Sequence, residues 1–253
     1  MKLENYYWHY KSIISLEDCQ KIIDAGENQL LVDKKAGVDT SAYTNGNKEK
    51  QSNPEAVSSK GLSVNELSKL NTNKKTYIRD SQVSWLNDKW LYDLISPLVE
   101  NANNQAGWRW NLNGCEAFQF TKYSKDGLYG WHEDGQSDWH AVYRRYMPGV
   151  SKVSKNANGQ LPSPYTEDKN LIGKVRKISM TLNLNKPGEY DGGDLKFDFG
   201  LHTEEKNRFH ICEEIRPQGS LVVFPSFLKH CVTPLTKGTR YSLVLWTLGE
   251  PWA

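Results

Sequence analysis

The chain has 253 residues, a formal net charge of +2 and 25% charged residues. That length holds one well-buried core, and a barrel or sandwich of this size is commonly one domain, so a single domain over 1–253 is expected. The balanced charge shows no basic excess that would draw the chain to nucleic acid, and the longest apolar runs, 220–224 and 243–246, are far too short to span a bilayer.

The first residues lack the unbroken apolar core of a secretory signal. Cys19, Cys115, Cys212 and Cys231 show no C-x-x-C pairing, so a reduced cytosolic setting is expected. Residues 6–14 read as a short strand. Ser15 then has the character of an N-cap, with Glu17 and Asp18 in the first turn of a helix that carries Cys19, Ile22, Ile23 and Gly26 on one stripe. Residues 33–75 are rich in Lys, Asn, Ser, Thr and Gly. They predict a long polar loop, a candidate lid, with a short helix near 64–70. A strand over 77–86 follows, then a helix over 89–105 that Pro97 should bend or divide.

Clear alternation over 116–123 opens a hairpin that turns at Lys125-Asp126-Gly127 and returns to His132. Residues 136–172 form a second polar segment. It carries Trp139, His140, Tyr143, Arg144, Arg145, Tyr146 and Tyr165, a mixture suited to an extended, proline-containing peptide or to another acidic or aromatic partner. Strands are expected at 178–184, 194–199, 209–215, 220–224, 229–232 and 240–248. Many short strands separated by Gly and Pro point to a mainly β fold with flanking helices and a jelly-roll core.

The chemistry concentrates in Gly130-Trp131-His132-Glu133-Asp134-Gly135. Alternation along a strand turns His132 and Asp134 to one face, and His230 is the candidate third ligand. Two imidazoles and one carboxylate form the facial triad that holds Fe(II) with open positions. His140 competes by residue type but has no carboxylate on its face, and Cys231 should turn away from His230's metal. On the last strand Arg240, Ser242, Val244 and Trp246 share a face, so a guanidinium and a hydroxyl point together into one cavity, walled by Trp246. A planar fork of donors suits a carboxylate.

The ordered series H-x-D at 132–134, a strand at 176–185, Asp191-Gly192-Gly193-Asp194-Leu195, His230 and Arg240 resembles the Fe(II)- and 2-oxoglutarate-dependent dioxygenases. Within them it resembles the prolyl 4-hydroxylase group with its bacterial and phage-encoded relatives, over about residues 76–249. The resemblance implies a double-stranded β-helix, the cofactor Fe(II), 2-oxoglutarate and O2 as cosubstrates, and it admits ascorbate. It implies that Tyr123 and Ser179 touch 2-oxoglutarate beside Arg240 and Ser242, and that Tyr129 faces a peptidyl-proline substrate. Many collagen-type relatives carry Lys at the position of Arg240, which leaves the subgroup open. Hydroxylation of another side chain or a free amino acid, a cupin-like metalloprotein and a non-catalytic jelly-roll binding module remain the alternatives.

Overall fold

The computed structural model describes residues 3–45, 77–135, 142–155, 159, 161, 164–200 and 208–252. In chain order the elements are β1 (Trp8–Tyr10), α1 (Leu16–Lys35), β2 (Ser41–Asn45), β3 (Tyr77–Leu86), α2 (Lys89–Gln105), β4 (Phe118–Tyr123) and β5 (Leu128–His132). There follow β6 (Arg144–Arg145), β7 (Tyr165–Thr166), β8 (Val175–Asn183), β9 (Tyr190–Gly192), β10 (Leu195–Asp198) and β11 (Phe209–Ile211). A 3-10 turn at Glu213–Ile215 precedes β12 (Leu221–Pro225), β13 (Lys229–Val232), β14 (Leu235–Gly238) and β15 (Arg240–Gly249).

An 11-stranded antiparallel sheet runs in the order β1-β12-β8-β15-β4-β3-β5-β13-β10-β11, with β2 added to β3. Strands β12 and β10 lie near opposite ends of that path. Yet Phe224 of β12 meets Phe197 of β10 edge to face at 5.1 Å, within one apolar cluster that also holds Leu195, Cys212, Ile215, Val222 and Leu228. The sheet therefore curls until its two wings face each other, which is the jelly roll expected from the strand pattern.

The helices cover the outer face of the larger wing. Alternation along β15 sends Leu243 and Leu245 outward against Ile22 of α1 and Leu91, Ile95 and Val99 of α2, while Arg240, Ser242 and Trp246 face inward. Ser15 caps α1 by accepting the Asp18 amide at 3.0 Å. Gly26 sits directly over the Phe120 ring, where an added Cβ would come within 2.3 Å of the ring carbons. The Ser84 hydroxyl donates to the Gly26 carbonyl at 3.2 Å, so α1 rests on the sheet at backbone distance.

Several boundaries differ from the sequence expectation. The helix predicted to about Gly26 runs on to Lys35, because Leu30 continues the buried stripe. Residues 41–45, predicted as loop, pair with β3, and residues 46–76, including the expected helix at 64–70, lie outside the described residues. Helix α2 continues through Pro97 as one undivided element. The first strand covers only 8–10, and the strand expected over 209–215 stops at Ile211 before the 3-10 turn. Two short pairs went unpredicted: β14 with β9, and β6 with β7 inside the segment read as loop.

Replacing Gly26 by Val should lower stability by about 1–3 kcal/mol through overpacking against Phe120. An unchanged or raised thermal midpoint would show that the helix can lift off the sheet without cost.

Candidate metal and cosubstrate site

His132 and His230 are cross-strand partners on β5 and β13, so their side chains leave the sheet together. Their rings lie 4.2 Å apart between centroids. Each ring uses Nδ1 on a backbone carbonyl two residues back: His132 on Gly130 and His230 on Leu228, both at 2.8 Å. With Nδ1 donating, each Nε2 keeps its lone pair for a metal. Asp134 completes the group. Its Oδ1 lies 3.6 Å from His132 Nε2 and its Oδ2 3.5 Å from His230 Nε2, and one ligand atom from each residue falls within 4.8 Å of the others.

Strand alternation does not place Asp134, because β5 ends at His132. A bend does so instead, and the amides of Asp134 and Gly135 both donate to the carbonyl of Ser226 at 2.9 Å. Gly135 is required there, since a Cβ would lie 2.9 Å from the Arg176 carbonyl. Burial alone would raise the Asp134 pKa, but the His230 and His132 imidazoles and the nearby Arg176 guanidinium hold it well below the usual carboxylate range. Burial, with His132 beside it, pushes His230 down to about 4 against the pull of Asp134, so His230 is neutral near pH 7. A neutral imidazole and an ionised carboxylate are the forms that bind a divalent cation. Cys231 stands outside this group, with burial pushing its thiol up to about 12.

On the adjoining inner face Arg240 is only 2% exposed. Its Nη1 meets the Ser242 hydroxyl at 3.4 Å, its guanidinium lies 5.4 Å from the Tyr123 ring centroid, and its Nε has no partner. Among the described residues no carboxylate pairs with it. A buried guanidinium without a counter-charge is costly unless an anion joins it, so this part of the inner face suits a carboxylate. Tyr123 is the cross-strand partner of Arg240 on β4, and Ser242 lies two residues on along the same face of β15. Ser179, by contrast, shares its hydroxyl with Ser226 at 2.9 Å and braces the turn that carries the Asp134 contact.

Tyr129 stacks on His132 at 3.5 Å between centroids, and the Arg79 guanidinium lies 4.6 Å above the other partner of that stack, the Tyr129 ring. Trp246 is buried, its indole N–H has no partner, and its ring meets Trp85, which is 41% exposed, at 6.1 Å. Tyr129 packs on His132, and Trp246 lies against Arg176, whose guanidinium donates to the Asp134 carbonyl. Trp139 and His140 lie outside the described residues.

The residue that sequence reasoning missed is Arg176. It grips both oxygens of Glu116, Nε to Oε1 at 2.5 Å and Nη2 to Oε2 at 2.7 Å, donates from Nη1 to the Asp134 carbonyl at 3.2 Å and lies 3.9 Å from the Trp246 ring centroid. Tyr143 donates to the same Glu116 at 2.7 Å. Alternation puts Arg176 opposite Ser179, but the pairing with β15 slips at Lys177 and brings Arg176 round to the site.

A jelly roll with two histidines and an aspartate grouped on its inner face, and with a buried arginine that pairs with no carboxylate among the described residues, has the arrangement of a non-haem metal oxygenase. The sequence profile of the 2OG-Fe(II) oxygenase superfamily matches residues 118–248, and the chain belongs to that family, which implies Fe(II), 2-oxoglutarate and O2. Among curated proteins it is similar to the PKHD-type hydroxylase YbiX of Shigella boydii, 39% identical over 129 residues, and to that of Escherichia coli, 30% identical over the same length. Each match covers 50% of this chain and 40% of the relative, so it spans well under half of those proteins. Among solved structures it resembles the viral collagen prolyl hydroxylase of Paramecium bursaria Chlorella virus-1 in complex with 2OG (TM-score 0.53, 14% identity, 97% of each chain). It also resembles a Trichoplax adhaerens prolyl hydroxylase in complex with a hypoxia inducible factor peptide fragment (TM-score 0.52, 16% identity, 96% of this chain and 83% of that one). At these identities the likeness shows the fold.

Removing Glu116 as the partner of Arg176 strands a largely buried guanidinium. Glu116→Gln should cost toward the lower end of ~3–5 kcal/mol, since the Arg176 side chain keeps 21% exposure. Denaturant melts of Glu116→Gln, Arg176→Met and the double variant would measure this, and additive losses would show that the pair is not coupled.

Proposed function

We propose that this chain is an Fe(II)- and 2-oxoglutarate-dependent hydroxylase acting on peptidyl proline, coupling oxidative decarboxylation of 2-oxoglutarate to succinate with hydroxylation of the substrate. The observation that carries the reading is Arg240, a cation buried to 2% exposure on the inner wall that also carries the ligand group, with no protein anion against it among the described residues.

His132, Asp134 and His230 would hold the iron, which when bound supplies the means of making O2 reactive. Arg240 and Ser242, with Tyr123 beside them, bind the far carboxylate of the cosubstrate by charge-assisted hydrogen bonds and so fix which end of the 2-oxo acid meets the metal. No side chain is needed as a general acid or base, because the cofactor and cosubstrate carry the hard steps. The protein orients the reactants and keeps water out. Trp246 and Tyr129 wall the reacting centre on the substrate side. Aromatic faces at the mouth, with Trp85 reaching solvent, favour an extended peptide carrying a proline ring. The fold shared with prolyl hydroxylases, one of them bound to a peptide, supports the same choice.

The test is anaerobic loading with Fe(II), then admission of O2 with 2-oxoglutarate and ascorbate, with and without proline-rich peptides. Succinate should be released, and the peptide should gain one oxygen by mass spectrometry. Asp134→Ala and His230→Ala should abolish release. Arg240→Ala should mainly raise the 2-oxoglutarate requirement, by about 10–100-fold for loss of charged hydrogen bonds. Gain of oxygen on a free amino acid or another side chain would keep the chemistry and replace the substrate. A protein that binds a partner with no iron or 2-oxoglutarate dependence would be the non-catalytic module instead.

A further inference from the structure

One short turn contacts two of the three ligand residues. It joins β12 to β13 and consists of Ser226, Phe227 and Leu228. The Ser226 carbonyl accepts the amides of Asp134 and Gly135, and the Leu228 carbonyl accepts Nδ1 of His230. Ser226 is itself tied to β8, where its amide donates to the Lys177 carbonyl at 2.9 Å and its hydroxyl pairs with Ser179. Contact between turn and bend is tight: a Cβ on Gly135 would lie 3.1 Å from that of Ser226. Any shift of the turn therefore moves Asp134 and rotates His230.

Phe227, at the tip of this turn, packs into an aromatic cluster. Its ring meets Trp252 edge to face at 5.6 Å and Trp110 at 6.0 Å with a moderate tilt. Trp252 meets Trp110 edge to face at 4.7 Å, and the ammonium of Lys177 stands 3.4 Å from the Trp252 centroid. Trp110 is anchored to α2 through Asn103, whose side chain donates to the Trp110 carbonyl at 2.8 Å and accepts its amide at 3.0 Å. The strap that brings Trp252 here is fixed too. Leu248 exchanges backbone hydrogen bonds with Asn113 and Gly114, Asn113 Nδ2 donates to Glu250 at 3.0 Å, and a Cβ on Gly249 would come within 2.4 Å of the Asn111 carbonyl.

We infer that Trp252 is a positioning residue for the metal site: through Phe227 it clamps the turn that orients Asp134 and His230. The Lys177 ammonium and the Trp110 edge hold the Trp252 ring, and the ring holds Phe227. Cation–aromatic and edge-to-face contacts of this kind contribute about 0.5–2 kcal/mol each, enough to select one arrangement of a short turn. Partners behind metal ligands typically change affinity by about 10–100-fold when lost. The inference rests on the metal reading of His132, Asp134 and His230.

The test is anaerobic titration of the full chain with Co(II), read by its visible absorption, alongside thermal melts. Trp252→Ala should weaken Co(II) binding by about 10-fold and alter the Co(II) spectrum. Trp252→Phe, which retains an aromatic face, should restore most of both. Phe227→Leu keeps apolar volume in the turn but lacks the ring contacts, and should fall between them; it serves if Trp252→Ala does not fold. Gly26→Val is the control, since it loosens the helix layer without touching the turn, and at a matched loss of melting temperature it should bind Co(II) as the parent does. Parent-like affinity and spectrum in Trp252→Ala, or an equal loss in Gly26→Val, would overturn the assignment. A parent protein that takes up no Co(II) would instead sink the metal reading itself.

Discussion

The structure turns on one carboxylate held between two imidazoles. The Asp134 side chain is 7% exposed, ionised and within 3.6 Å of the Nε2 atoms of His132 and His230, and neither its position nor its charge would survive alone. Cross-strand pairing of β5 with β13 supplies the two rings. Backbone carbonyls at Gly130 and Leu228 turn both rings the same way, and the Ser226 carbonyl pins the bend that carries Asp134. Such supports behind a ligand set decide orientation and basicity as much as the ligands do.

Two arginines on the inner wall illustrate opposite solutions to burying a cation. Arg176 meets Glu116 through two parallel hydrogen bonds and gives a further one to the Asp134 carbonyl, so its charge is satisfied inside the protein and its role is mechanical. Arg240 is more deeply buried, and its guanidinium meets the Ser242 hydroxyl and the Tyr123 ring with no carboxylate paired to it among the described residues. Desolvating a cation costs several kcal/mol, and at Arg240 no protein carboxylate among the described residues offsets that cost. The outer helices, with their apolar stripes pressed on β8 and β15, provide the stability against which that cost is set.

Much of the site was legible because strand alternation is rigid. His132, His230, Arg240, Ser242 and Trp246 fall on the inward face that a period of two assigns to them, and the curled sheet follows from many short strands punctuated by Gly and Pro. Asp134 ended up beside the histidines for a different reason, a bend beyond the strand end. Arg176 was hidden by the slip at Lys177, which reverses the parity of the strand, and Glu116 could not be read without its partner. Strands β9 and β14, of three and four residues, are too short to show a period. Strand β2 is polar and owes its existence to pairing with β3, a long-range contact that local composition does not report. The 3.6-residue stripe of α1 was visible, and its length was underestimated because Leu30 comes after a run of polar residues.

Under the proposed function metal and cosubstrate are interdependent: His132, Asp134 and His230 would hold one divalent ion, and Arg240 would bind the far end of a 2-oxo acid beside it. Calorimetric titration of 2-oxoglutarate under anaerobic conditions, into the Fe(II)-loaded and the metal-free protein, tests this most directly. The predicted result is one ion per chain and one 2-oxoglutarate bound much more tightly when the ion is present. Equal affinity with and without metal, or no uptake of metal at all, would contradict it.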